Sequence, residues 1–288
     1  MSQLSFLDNA REGKNNWWMY LITFIAVFLV MMLGTILPVE ILNKFNNNLL
    51  NSIVGLGVGF ALSLISLYLL ARFLHHKKLI SLINTGKQVR WSQIFKGGIL
   101  WAVLASSLTI IYMLLNPSAF KFSFNFYPFL ILVIISCLCF PIQAFFEELF
   151  FRGYLMQGFG LVFKRALIPV IITSILFGVM HASSLTNLNQ TLLVITSTSI
   201  MGLLYGIVTL ADNGIELAAG SHIANNLLMA IFFNSGDATF SSLPSLFVSS
   251  TETVVDLIIF IIAAVLFVLI LFWNRKADLR KVLYSRTD

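Results

Sequence analysis

Charge is what this sequence has least of. Only 10% of its 288 residues are Asp, Glu, Lys or Arg, against about 25% in a soluble globular domain. With 58% hydrophobic residues beside that shortage, a chain solvated by water all round is excluded and a bilayer is the natural solvent. Cysteine is nearly absent. Cys137 and Cys139 are spaced i, i+2 in one apolar run, where helical side chains diverge, so a disulfide-built secreted fold is excluded. Both read as small buried hydrophobes. No stripe of basic residues interleaved with exposed aromatics occurs, so the net charge of +6 points to no nucleic-acid partner. It reads as topology information and as attraction to anionic lipid head groups. No repeat, low-complexity tract or soluble domain stands out, and no small-residue cleavage site follows the first apolar run before Pro38. That run is a retained first span.

What is present is a series of apolar stretches near the 20 residues that a spanning helix requires. Eight are expected, at about 17–37, 50–71, 97–115, 126–150, 166–184, 190–211, 214–234 and 253–273, with the fourth continuing past Arg152 to the break at Gly158 to Gly160. The fold class is therefore all-α, a polytopic membrane helix bundle. Of the 18 Lys and Arg residues, 16 fall in the segments that share a side with the N-terminus, and only Lys44 and Lys121 fall opposite. That bias predicts both termini on the cytoplasmic side. Three regions are expected: 1–125 with three spans, 126–234 bearing the polar motifs, and 235–288 with a last span and a basic tail.

Ionisable groups within a span cost about 2.5–3.5 kcal/mol each on insertion scales, so those that occur are paired or functional. The fourth span ends in Phe145-Phe146-Glu147-Glu148-Leu149-Phe150-Phe151-Arg152. Glu148 and Arg152 are i, i+4, in the favourable order for an ion pair on one helix face. Glu147 lies about 100° round the helix and is left without a local partner. Two of the four histidines, His75 and His76, sit in the longest polar connection. The other two lie inside spans, in Phe177-x-x-x-His181 and His222-x-x-x-Asn226, each pair facing one direction.

A carboxylate and an imidazole can hold and deprotonate a water between them. A second imidazole and an amide can donate hydrogen bonds to an oxyanion at an attacked carbonyl. The same residues admit a metal reading: Glu147, His181 and His222 make a three-ligand set with an open position for water, suited to a divalent ion such as zinc. The motifs leave metal-bound water and a metal-free glutamate mechanism both open. Straight upright helices put His181 about 24 Å from the inner face and Glu147 about 16 Å, so a shared water requires tilt, a break near Pro169 or a shorter fourth span.

Glu147-Glu148-x-x-x-Arg152, Phe177-x-x-x-His181 and His222-x-x-x-Asn226 together resemble the three ordered motifs of the CPBP intramembrane proteases. This group, also called Abi proteins, includes the CAAX prenyl endopeptidases and proteins linked to bacteriocin processing or self-immunity. The resemblance implies that Glu147 is the base and that His181 orients the water. It implies likewise that His222 and Asn226 support the oxyanion, with Glu148 and Arg152 structural. The expected function is hydrolysis of a peptide bond in a membrane-associated peptide or protein, prenylated or not, in a bacterial plasma membrane. A silent membrane partner or immunity protein is the alternative, and a proton-coupled transporter a further one, although no matching pair of broken helices occurs. Glu216 reads as a helix N-terminus charge, Gly202 and Gly206 as a close helix contact, and Phe120 to Phe129 as an interfacial aromatic belt.

Overall fold

A computed structural model describes residues 6–45, 50–182, 188–235, 243–249 and 253–284. Its helices are α1 (Trp17–Asn43), α2 (Leu50–Leu74), α3 (Leu79–Ile83), α4 (Trp91–Leu115), α5 (Phe126–Gly160), α6 (Leu167–Met180), α7 (Leu188–Asp212), α8 (Glu216–Ile231), α9 (Thr253–Phe272) and α10 (Lys276–Tyr284). The all-α bundle is as expected. Six of these helices, α1, α2, α4, α5, α7 and α9, are long and apolar enough to cross a membrane. The fifth and seventh expected spans correspond to shorter helices, α6 of 14 residues and α8 of 16. The last two residues of the fifth expected span, 183 and 184, lie outside the described residues. The fourth does continue through Arg152 to Gly160.

Lipid tails are as apolar as leucine, so helices in a bilayer are held by close packing at small residues. Three pairs follow that rule. Between α1 and α2, Gly59 meets Thr35 and the Met31 carbonyl. Gly97 and Gly220 bring α4 and α8 together backbone to backbone, and Gly178 and Gly202, with Gly206 against the Val170 side chain, bring α6 and α7 together. The contact expected of Gly202 and Gly206 is therefore present, against Ser174 and Val170.

At one end of the bundle the chain ties several segments together. A short 3-10 helix, Phe6–Arg11, buries Phe6, Leu7 and Ala10. Asn9 donates to the carbonyls of Ser81 and Asn84, and the Phe6 amide donates to Asn213. Glu216 opens α8 as a helix N-terminus charge, but it is fully buried and not merely interfacial. Arg90 and Asn84 both bond its carboxylate, and Arg90 also pairs with Asp212, which pairs in turn with Arg275. The Phe6–Arg11 helix and Arg275 thus reach the same end of the bundle.

At the other end, part of the aromatic stretch is strand. Antiparallel β1 (Phe120–Phe122) and parallel β2 (Phe233–Ser235) flank β3 (Phe247–Ser249). The cysteines need a correction: Cys137 is exposed on the outside of the bundle and Cys139 is half-buried. Their helix is apolar on all sides, so hydrophobic sequence context could not tell its inner face from its outer one.

Candidate active site

α5 brings the acidic motif to the centre of the bundle. Pro141 lacks the N–H that would bond the Cys137 carbonyl, which leaves the helix free to bend one turn before the motif. After Glu148 the helix widens into a π-helical stretch, Leu149–Met156, that carries Arg152. Such stretches recur at functional sites because they re-aim side chains without ending the helix.

Glu147, Glu148, Arg152, Phe177 and His222 are all buried. The Arg152 Nη1 donates to Glu148 Oε1 at 2.8 Å, as the i, i+4 spacing predicts, and its Nη2 donates to the Gly202 carbonyl at 3.0 Å. The guanidinium lies 4.7 Å from the Phe177 ring centroid and 5.5 Å from that of Tyr205. Those aromatic faces supply attraction where water is excluded.

Glu148 has a second partner. His222 Nδ1 lies 2.9 Å from the same Oε1. A carboxylate can only accept, so Nδ1 carries a proton and the ring is fixed with Nε2 towards Glu147 Oε2, 3.6 Å away. Tyr205 stacks on the His222 ring, with centroids 5.0 Å apart. If His222 holds its second proton, the buried set balances two negative charges with two positive ones.

His181 caps the C-terminus of α6, and its Nδ1 lies 2.7 Å from the Phe177 carbonyl oxygen. A carbonyl also only accepts, so the His181 proton sits on Nδ1 and Nε2 is left as an acceptor. His181 and Glu147 line one cavity of about 400 Å³. Both residues line this one cavity, so the depth mismatch that straight upright spans imply does not keep them apart. Apart from Gln143 and Thr35 the rest of the wall is apolar and comes largely from α1, α2 and α5, including Phe28, Met31, Phe60 and Phe146.

Asn226 sits one turn beyond His222, half-buried, with its Oδ1 3.5 Å from the Asn225 amide nitrogen. Among the described residues no hydrogen bond joins it to Glu147, His181 or His222. Of the proposed ligands, Glu147 is near His222 and shares a cavity with His181. Among the described residues, however, no three His, Cys, Asp or Glu side chains are gathered as a metal site.

Three parts of the site escaped the sequence reading. Gln143 Nε2 donates to Glu147 Oε1 at 3.2 Å, so Glu147 does have a local partner. The i, i+4 spacing of the pair was a legible signal. Tyr205 and the cavity wall from α1 and α2 carry no such signal, since an aromatic or a methionine in a span is ordinary packing.

Residues 126–228 match the family model described as Type II CAAX prenyl endopeptidase Rce1-like. The chain is also similar to the uncharacterized protein YyaK of Bacillus subtilis (strain 168), at 27% identity over 252 residues, covering 82% of this chain and 84% of that protein. No solved structure matches. All three motifs, from Glu147 to Asn226, fall inside the family match, and the family it names is the one their residues resemble: the Rce1-like, CAAX-type group of the CPBP proteins.

Proposed function

We propose that this chain is an intramembrane endopeptidase that hydrolyses a peptide bond in a membrane-associated peptide or protein, by a water that Glu147 deprotonates. The observation that carries this reading is a buried carboxylate at the head of an apolar cavity shared with an imidazole whose Nε2 is an acceptor. One water hydrogen goes to Glu147 Oε2 and the other bonds His181 Nε2, which turns the oxygen towards the scissile carbonyl. As the oxygen attacks, Glu147 takes the first proton. The carbonyl oxygen becomes an oxyanion, met by His222 Nε2–H in its doubly protonated form and by the Asn226 amide. Collapse breaks the C–N bond, and the proton on Glu147 passes to the leaving amine. Glu148 and Arg152 hold His222 in place. This course uses no metal, in keeping with a donor set that is not gathered round one point.

The apolar wall suits a substrate segment that arrives from the bilayer, prenylated or not. The chain would sit in a bacterial plasma membrane, with the end of the bundle that holds Phe6–Arg11 and Arg275 facing the cytoplasm.

The test is to purify the protein in detergent and incubate it with a library of membrane-proximal peptides that includes prenylated C-terminal ones. Products are read by mass spectrometry for wild type, Glu147→Ala and His181→Ala. Cleavage by wild type and loss in both variants is the expected outcome, with activity unchanged by chelators. Full turnover in Glu147→Ala removes the mechanism, whereas no cleavage by any of the three proteins favours a partner or immunity role. Activity abolished by chelation and restored by zinc replaces the metal-free course with the metal-bound one.

A further inference from the structure

Gln143 sits one turn before Glu147 on the same face of α5, and both line the cavity that holds His181. Its orientation follows from chemistry. The Glu147 carboxylate has no hydrogen to give, so the Gln143 atom 3.2 Å from Glu147 Oε1 is the nitrogen Nε2. The amide oxygen Oε1 is then turned away from Glu147. That oxygen is buried, and among the described residues it has no hydrogen-bond donor. Glu147 Oε2 is in the same state, with His222 Nε2 no nearer than 3.6 Å. Leaving a buried acceptor unmade is costly, and these two belong to residues that line the cavity, so each can take a donor from a guest bound there.

Counting donors identifies that guest, given the hydrolytic reading on which this inference rests. The reacting water has two hydrogens, taken by Glu147 Oε2 and His181 Nε2. None is left for Gln143. The donors that remain in a peptide hydrolysis are the backbone N–H groups of the substrate beside the scissile bond. We infer that Gln143 is a positioning residue with two tasks. Its Nε2 holds Glu147 by Oε1, which leaves Oε2 for the water. Its Oε1 accepts a backbone N–H of the bound peptide and sets the scissile carbonyl against that water.

The experiment is a cycle between enzyme and substrate. A peptide cleaved by the wild type is remade with single ester linkages in place of the amides flanking the scissile bond, which itself stays an amide. Each ester deletes one N–H. Gln143→Met keeps the length of the side chain and removes both hydrogen bonds, while Gln143→Glu keeps an acceptor for the peptide and loses the donor to Glu147. One ester position is expected to lower kcat/KM of the wild type by roughly tenfold. Gln143→Met should be at least that much slower on the all-amide peptide and indifferent to the same ester. Gln143→Glu should lose kcat yet keep its sensitivity to the ester. Melting temperatures within a few degrees of wild type show that the variants fold, and Gln143→Glu carries the test if Gln143→Met does not. Additive losses at every ester position, or wild-type kcat/KM in Gln143→Met, overturn the role of Gln143 alone, provided Glu147→Ala is inactive. Turnover by Glu147→Ala overturns the hydrolytic reading beneath it.

Discussion

Glu148 is shared by two donors from different helices, Arg152 on its own α5 and His222 on α8. Removing the cation leaves a carboxylate buried among aromatics with one partner lost, the situation in which breaking a buried pair costs about 3–5 kcal/mol. Arg152→Ala should lose that much in a detergent denaturation series, and it should also lose cleavage because Glu148, the anchor of His222, is no longer held by Arg152. Arg152→Lys should recover only part of the stability. An ammonium cannot reach Glu148 and the Gly202 carbonyl with a planar fork, nor lie flat against Phe177 and Tyr205. Full stability in Arg152→Lys would show that charge alone matters here. At this scale the sequence was legible wherever partners lie on one helix, as with Glu148 and Arg152. The His222–Glu148 bond spans 74 positions, and no local spacing rule reaches that far.

Between elements, the tightest crossing is that of α4 with α8, two residues from His222. A Cβ at Gly220 would overlap the Ile94 carbonyl oxygen, and one at Gly97 the Leu217 carbonyl oxygen. Backbone cannot rotate away as a side chain can. Gly220→Ala should therefore push α8 off α4, cost about 1–3 kcal/mol and displace His222 from Glu148, with a fall in kcat larger than the fall in stability suggests. Gly206→Ala meets only the Val170 side chain and should be milder in both respects. Comparable melting temperatures and rates for the two variants would argue against this ranking. The spans were legible as apolar runs because length and composition alone define them. In sequence, the 14-residue α6 and 16-residue α8 look like full spans because apolar runs continue beyond their helical ends, into Ala182 for α6 and Phe232 and Phe233 for α8. The three strands were not legible either, since Phe120 to Phe122 reads equally well as an interfacial belt and pairs only with residues far along the chain.

For the molecule as a whole, the Phe6–Arg11 segment acts as a clasp on the end of the bundle that also holds Arg275, and its chemistry makes stability depend on pH. Lys77 is buried, with Nζ 2.7 Å from the Ala10 carbonyl oxygen and 5.9 Å from the Tyr20 ring centroid. Burial outweighs the attraction of the Glu12 carboxylate and pushes the ammonium down from 10.5 to about 8. The charged form is thus disfavoured in the fold, by about 3 kcal/mol at most. Below pH 8 that cost is present in full. As pH rises through about 8 the folded chain sheds this proton while the unfolded chain keeps it up to about 10.4. The unfolded state then binds more protons, so stability rises with pH across that window. His75, fully buried and hydrogen-bonded to the Lys14 carbonyl, is also pushed down, chiefly by burial. Its unfolded form takes up a proton below about pH 6.5, so stability falls as pH drops through that value. Denaturation in detergent from pH 5 to 10 should therefore show two rises, one on the acid side and one above pH 8. Lys77→Met should abolish the upper rise and leave the lower one in place. A wild-type curve that stays flat between pH 8 and 10 would mean that the Lys77 ammonium is solvated in the folded protein and that the clasp opens more readily than its hydrogen bonds imply.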